Sequence, residues 1–314
     1  MNREPGRTAQ WAAGPHSLFP VRSPRFTVHG SRFPDLPNHY DRPARYAPVA
    51  GRKASGTALT IAGSDPSGGA GVQMDLKCFA AANVHGCSAL TAVTVQNTRG
   101  VRSANPVAPR LVRDQLDAVF SDFEVSSAKT GMLCEAAIVK VVADRLAKEG
   151  TPLVVDPVLA ATRGAALARP GLAGAIKKRL LPIALLVTPN IPEAEALTGM
   201  RIAGLGSMKR ACIALSRFGA RNVLLKGGHA AGENATDLLY DGEFCVLLGP
   251  RLRRDVHGTG CMLSAFIAAY LARGMPLKDA ALVAKARVTE AIERSTRPGG
   301  GRAIGMPMLF VAGR

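Results

Sequence analysis

Residues 58–71 read Ala58-Leu59-Thr60-Ile61-Ala62-Gly63-Ser64-Asp65-Pro66-Ser67-Gly68-Gly69-Ala70-Gly71, and Val72, Leu76 and Phe79 follow at helical spacing. A short aliphatic run, a glycine-rich turn and an amphipathic helix make a strand–turn–helix, half of a βαβ unit. The turn lacks the Lys-Ser/Thr ending of a P-loop and the G-x-G-x-x-G spacing of a dinucleotide fold, so neither mechanism is assigned to it. What remains is backbone approaching a ligand more closely than side chains would allow.

Working outward, the same alternation continues. Ala58–Ala62, Ala89–Val95, Leu153–Val155, Ala184–Thr188 and Asn222–Lys226 read as buried strands. Between them, Leu111–Phe120, Ala136–Lys148, Met208–Phe218, Met262–Leu271 and Ala280–Arg294 read as helices. Asp237–Tyr240 and Phe244–Leu248, joined by Asp241-Gly242-Glu243, form a hairpin signal at one edge. The pattern predicts an α/β fold with a mainly parallel central sheet. In such sheets ligands bind beyond the carboxyl ends of the strands, which is where the unusual residues fall.

With 314 residues, 47% of them hydrophobic, the chain has ample material for a core. Residues 1–56 differ in texture, with eight of the 21 prolines and three of the six histidines, and are read as a disordered basic extension. They hold nine Lys or Arg against three acids, or +6 of the total +17, and the rest of the charge is spread along the chain rather than gathered in one stripe. A positive field suits polyanionic small substrates, so nucleic acid is not the favoured partner. The six cysteines show no C-x-x-C pair or Cys/His cluster, which argues against a structural zinc site or a disulfide framework. Neither a secretory apolar region nor a membrane-length apolar run is seen, and a cytoplasmic location is expected.

Three groups carry candidate chemistry. Asp75 lies on the border of the apolar stripe Val72–Leu76–Phe79, where it either has a partner or complements the helix dipole. His257-Gly258-Thr259-Gly260-Cys261 opens an alanine-rich helix. Its amides can converge on an anion, and a thiol at that helix start is expected to have a lowered pKa; the alternative is a cap followed by a buried cysteine. Thr188-Pro189-Asn190-Ile191-Pro192-Glu193 places Asn190 and Glu193 where both can face hydrated Mg²⁺ or phosphate oxygens, although an N-cap with a matching first-turn acid is the commoner use of that spacing. Lys226-Gly227-Gly228-His229 then offers a charge partner for ATP phosphates.

Five stretches, in order, resemble the hydroxymethylpyrimidine/phosphomethylpyrimidine kinases. They are Leu59–Gly71, Gln96-Asn97-Thr98-Arg99-Gly100-Val101, Lys129-Thr130-Gly131-Met132-Leu133, Thr188-Pro189-Asn190 and His257–Cys261. The likeness spans roughly residues 57–296 and implies a ribokinase-like three-layer α/β/α sandwich, usually a homodimer, using ATP and Mg²⁺ in thiamine biosynthesis. It implies that Gly63, Asp75, Gln96, Met132 and Val158 line the pyrimidine pocket, and that Gly258, Thr259 and Gly260 form an anion hole. Cys261 takes the place of an aspartate base, Thr188, Asn190, Lys226 and Gly228 contact ATP, and Asn190 and Glu193 serve the metal. Two features depart from the family pattern: Thr162-Arg163 precedes Gly164, and Gly299–Arg314 lacks the usual ending rich in Gly, His and Pro, so the tail 297–314 is assigned no role. The rival readings are a pyridoxal kinase, which shares the superfold, and a ligand-sensing regulator that uses the basic extension on DNA.

Overall fold

The computed structural model describes residues 28–29, 56–159, 167–227 and 234–308. A ten-stranded sheet runs through the molecule. Its strands are β1 (Val28–His29), β2 (Thr57–Ser64), β3 (His85–Asn97), β4 (Gly100–Pro106), β5 (Ser127–Thr130), β6 (Leu153–Val155), β7 (Leu186–Val187), β8 (Asn222–Lys226), β9 (Asn234–Tyr240) and β10 (Phe244–Pro250). Their order is β1-β10-β9-β8-β7-β6-β5-β2-β3-β4. The six central strands from β8 to β3 are parallel, while β4 at one edge and β9, β10 and β1 at the other are antiparallel.

β2, β6, β7 and β8 are buried on both faces, which explains their largely aliphatic runs, whereas β3 exposes alternate residues such as Val93 and Val95. On β2, Leu59 and Ile61 point to one core and Ala58 to the other, and Val154 on β6 and Leu224 on β8 point away from their neighbours in the same manner. One core is closed by α2 (Pro109–Asp122), α3 (Ala136–Leu146), α4 (Leu172–Ala175, continued by a π turn to Leu180), α5 (Ile191–Thr198) and α6 (Leu205–Arg217). The other is closed by α1 (Gly71–Ala81), α7 (Thr259–Ala272) and α8 (Leu277–Glu293). The result is a three-layer α/β/α sandwich, as expected. Among the described residues, no helix is long and apolar enough to cross a membrane.

Leu153–Val155 and Asn222–Lys226 match the sequence reading residue for residue, and the edge hairpin is two to three residues longer on each arm. Within the ten-stranded sheet, β1, β4 and β5 have no counterpart in that reading. β5 is Ser-Ala-Lys-Thr, fully buried yet polar at three of its four positions, so hydropathy gives no signal for it. Of residues 1–56, Val28 and His29 pair antiparallel with Leu247 and Val246, a register that the proline-rich composition does not foreshadow. The C-terminal segment runs on into the same domain, where β11 (Val256–His257) pairs in parallel with β12 (Ala303–Ile304).

Chain order sets the place of the site. From β2 the chain crosses to β3 on one side, and β5 then returns to the other side of β2. Connections diverge there, and in such sheets the ligand site is expected beyond the carboxyl ends of the strands, here β2 and β5.

Candidate active site

Gly63 ends β2 against Met132, which follows β5; a Cβ on Gly63 would lie 2.2 Å from Met132 Cε. Met132 and Val158 share a small apolar cluster with Ala92, Cys134, Ala104 and Leu167. Three of the five predicted pyrimidine contacts therefore adjoin one another, and glycine at 63 lets the Met132 methyl pack directly against the backbone.

Asp75 has the partner that its position demanded. Its carboxylate accepts hydrogen bonds from Thr60 Oγ1 at 2.6 Å and from Lys129 Nζ at 3.0 Å to each oxygen, and both members of the ion pair are wholly buried. Burial still raises the Asp75 carboxyl above its ordinary value, with Lys129 and Thr60 opposing. Lys129 itself is held strongly cationic: burial works against its charge, but the Asp75 carboxylate, together with Cys261, Asp156 and the hydrogen bond to Asp75, outweighs burial.

The start of α7 meets the first glycine-rich turn backbone to backbone. Gly258, the N-cap, has φ +78°, and a Cβ there would lie 1.8 Å from Gly69 O, so both conformation and space require glycine. His257 Nε2 lies 3.0 Å from Asp65 Oδ2 and 2.8 Å from Gln96 Nε2, joining that turn, the end of β3 and the segment that opens α7. Asp65 also accepts from the Ser67 and Ala70 amides at 2.9 and 2.8 Å. Burial opposes its charge, but the His257 and Ser67 bonds prevail and hold its carboxyl below the usual range.

Cys261 corrects one expectation. Although the residue is only half-buried and its sulfur accepts a bond from the Gly71 amide, burial pushes the thiol up to about 11. Lys129 and the Gly71 amide act downward, while Asp75 and Asp156 act upward. The helix start does not yield a thiolate, because desolvation and two carboxylates outweigh it.

Asp156, immediately after β6, anchors the other side of the site. It accepts from Lys226 Nζ at 3.0 Å, Ser264 Oγ at 3.2 Å and Thr188 Oγ1 at 3.4 Å. Burial opposes its ionisation, yet Lys226 and Lys129 keep it below the ordinary carboxylate range. Lys226 Nζ also lies 4.0 Å from Glu193 Oε2, and 3.3 Å from where a Cβ on Gly260 would stand, so its ammonium flanks the helix start. The following Gly227 amide donates to Asp237 Oδ1 at 3.0 Å, and Asp237 is held in turn by Lys285 at 2.6 Å.

Asn190 and Glu193 form a reciprocal capping box on α5, with both side-chain-to-amide bonds at 2.8 Å. Burial raises the Glu193 carboxyl to about 7, with Lys226 acting downward and Asp156 upward. Asp75, Asp156 and Glu193 face Lys129 and Lys226, which leaves an excess of negative charge. Among the described residues no three metal-binding side chains form a ready-made cage. Oxygen donors from one or two carboxylates, with phosphates and water completing the shell, nevertheless suit Mg²⁺, and Asn190 and Glu193 fit that use. Thr188 is fully buried, with its hydroxyl turned toward Asp156 and Val155 O. Gly228 and the Thr162-Arg163-Gly164 loop lie outside the described residues.

Sequence reasoning passed over Lys129, Asp156, Ser264 and Asp65 as site residues. Lys129 had one usable signal, a charge in a short run that ends at Gly131; Asp156 likewise follows an all-aliphatic strand directly.

Comparison with known proteins shows the family. The family model for phosphomethylpyrimidine kinase matches residues 65–305. The hydroxymethylpyrimidine/phosphomethylpyrimidine kinase of Rhizobium meliloti is 50% identical over 243 residues, covering 76% of this chain and 91% of the relative. The crystal structure of phosphomethylpyrimidine kinase from Clostridium difficile is similar at a TM-score of 0.67 and 40% identity, over 75% of this chain and 99% of that one. The pyridoxal kinase of Staphylococcus aureus in complex with AMP-PCP is similar at a TM-score of 0.75 and 34% identity, over 82% and 94%. The chain belongs to the phosphomethylpyrimidine kinase family, within the ribokinase-like fold.

Proposed function

We propose that the protein transfers the γ-phosphoryl group of ATP to the hydroxymethyl group of 4-amino-5-hydroxymethyl-2-methylpyrimidine, and then a second phosphoryl group to the monophosphate, in thiamine diphosphate biosynthesis. The observation that carries this reading is the start of α7. Gly258 caps that helix against Gly69 of the first glycine-rich turn, Gly260 adjoins the Lys226 ammonium, and the Cys261 sulfur accepts from the amide of Gly71, where a Cβ would abut Gly63 O. In this reading a phosphoryl group held by the helix amides has the Lys226 cation on one side and the pyrimidine ring on the side of Gly63 and Met132.

Phosphoryl transfer relies on positioning and charge neutralisation. The amides of Gly258, Thr259 and Gly260 hold the oxygens of the transferring group, and Lys226 and Gly228, with Thr188 behind them, serve the nucleotide side. Asn190 and Glu193 hold Mg²⁺, which when bound neutralises phosphate charge. Cys261 acts as a neutral thiol that accepts a hydrogen bond from the attacking hydroxyl and passes its own S–H proton to an oxygen of the transferring phosphoryl group, as the new O–P bond forms and the bond from phosphorus to the ADP oxygen breaks; a loose transition state asks little of a base. Gln96 and Asp75 select the aminopyrimidine, with Met132 and Val158 against the ring. The protein acts as a cytoplasmic homodimer in this reading, as the family does.

The likeness to solved pyridoxal kinases gives a second reading, phosphorylation of pyridoxal. Incubation with Mg-ATP and either the hydroxymethylpyrimidine or pyridoxal, with products followed by mass spectrometry, decides between them. The mono- and then the diphosphate of the pyrimidine are expected. Pyridoxal phosphate alone overturns the pyrimidine assignment.

A further inference from the structure

The segment after α8, left without a role by its sequence, touches three parts of the site. Its glycines meet the β3–β4 hairpin tip: the Gly301 amide donates to Thr98 Oγ1 at 3.2 Å and the Arg302 amide to Thr98 O at 2.8 Å. The Arg302 guanidinium reaches the strand that delivers the anion hole, donating from Nε to Asp255 Oδ1 at 2.6 Å and from Nη2 to Val256 O at 2.8 Å. Ala303 and Ile304 then pair with Val256 and His257, and Ile304 Cγ1 comes within 3.3 Å of where a Cβ on Gly69 would stand. Backbone bonds between Thr296 and Ile304, at 2.8 and 3.1 Å, close the loop back onto the end of α8.

We infer that residues 296–304 form a strap that holds the hairpin tip, and with it Gln96, against His257 and the anion-hole loop, and that Arg302 is the positioning residue of this strap. The inference concerns the pyrimidine side of the site and so rests on the proposed function for its kinetic consequence. Gln96 sits at the base of the hairpin tip and His257 in the strap-paired strand, and the two side chains meet at 2.8 Å. Their registration depends on two loops that share no backbone pairing with each other, and the strap is the element bonded to both. Arg302 suits the task because its guanidinium offers two donors in different directions, one for a carboxylate and one for a carbonyl. The strap buries little apolar side chain beyond Ala303 and Ile304, so loosening it opens the site locally rather than unfolding the domain. A site assembled for only part of the time binds its ligand with proportionally weaker apparent affinity.

The test compares wild type, Arg302→Ala, Arg302→Lys and Gly301→Ala. The last variant attacks the join from the hairpin side, since a Cβ there would lie 2.1 Å from Thr98 O. Hydrogen exchange is read at residues 97–101 and 255–258, together with the KM for each substrate and the melting temperature. Faster exchange in both segments is expected for Arg302→Ala and Gly301→Ala. The pyrimidine KM should rise about five- to tenfold in both, with the ATP KM within about twofold of wild type and melting nearly unchanged. Arg302→Lys should recover only part of the loss, because an ammonium does not span both acceptors. Unchanged exchange in both variants overturns the strap, and so does a joint rise of both KM values with a fall in melting temperature, which marks a merely structural role. If wild type fails to phosphorylate the pyrimidine, the functional reading falls, while the exchange arm still tests the strap by itself.

Discussion

Lys129 Nζ lies 3.0 Å from both carboxylate oxygens of Asp75, and neither side chain is exposed to solvent. Removing one member strands the other's charge in the interior, at a cost of about 3–5 kcal/mol, whereas replacing both with apolar groups is close to neutral. Asp75→Asn should therefore be markedly destabilised, and Asp75→Leu/Lys129→Met should melt within a few degrees of wild type. The double variant should remain inactive, because the carboxylate proposed to select the aminopyrimidine is gone. Full activity in a stable double variant would show that Asp75 serves charge balance alone.

Cys261 stands at the helix start with its thiol pushed up to about 11. Iodoacetamide should label it slowly near neutral pH and faster as the pH approaches that value. Cys261→Ser should keep much of the rate, since a hydroxyl can hold the same hydrogen bond. Cys261→Ala should lose about 10²-fold in kcat, the lower end of an acid–base contribution. A kcat limb titrating near pH 7 in wild type and absent in Cys261→Ser would mean that the thiolate is the working form.

How much of this could be read from the chain follows from what burial looks like in a sequence. The βα alternation, the parallel strands and the glycine turns were legible because both-face burial writes continuous aliphatic runs. Asp75 drew notice for the wrong-looking face of its helix, but its partner did not, since Ser127-Ala128-Lys129-Thr130 carries no apolar pattern and its lysine pairs across 54 residues. The thiol at position 261 was misjudged for a related reason. A helix start is visible in sequence, whereas the carboxylates of Asp75 and Asp156 that surround it arrive from other strands and helices. The strap was hidden because several of its anchors are backbone bonds, which any residue type can make, and because the Arg302 guanidinium meets Asp255 across 47 residues.

Glu193 gives the site its pH dependence. Burial raises its carboxyl from 4.5 to about 7, so the folded protein holds this proton more tightly than the unfolded chain does. The sign follows: its contribution to stability is full below 4.5 and is lost as the pH rises through about 7. Metal binding has the opposite demand, because a ligand carboxylate must be ionised. Half-saturating Mg²⁺, measured by activity, should fall about tenfold between roughly pH 6 and pH 8. In Glu193→Gln the requirement should be high and flat across that range; an unaltered pH dependence would remove Glu193 from the metal's ligands.

Gly258 and Gly260 separate conformation from space within the same three-residue turn. At Gly258 the backbone is left-handed and the missing Cβ would overlap Gly69 O, so Gly258→Ala must push the anion-hole loop away from the first turn. Misplaced amides forfeit oxyanion-type stabilisation worth about 10²–10³ in kcat, and a loss of that size is expected. At Gly260, inside α7, the nearest obstacle is Lys226 Nζ at 3.3 Å, the movable end of a long side chain. Gly260→Ala should therefore fold normally and act mainly through Lys226, raising the ATP KM severalfold while leaving the pyrimidine KM near wild type. Steady-state kinetics of the two variants under identical conditions checks the contrast. Equal losses in both would mean that the turn tolerates no side chain anywhere, and that Lys226 does not adjoin the nucleotide.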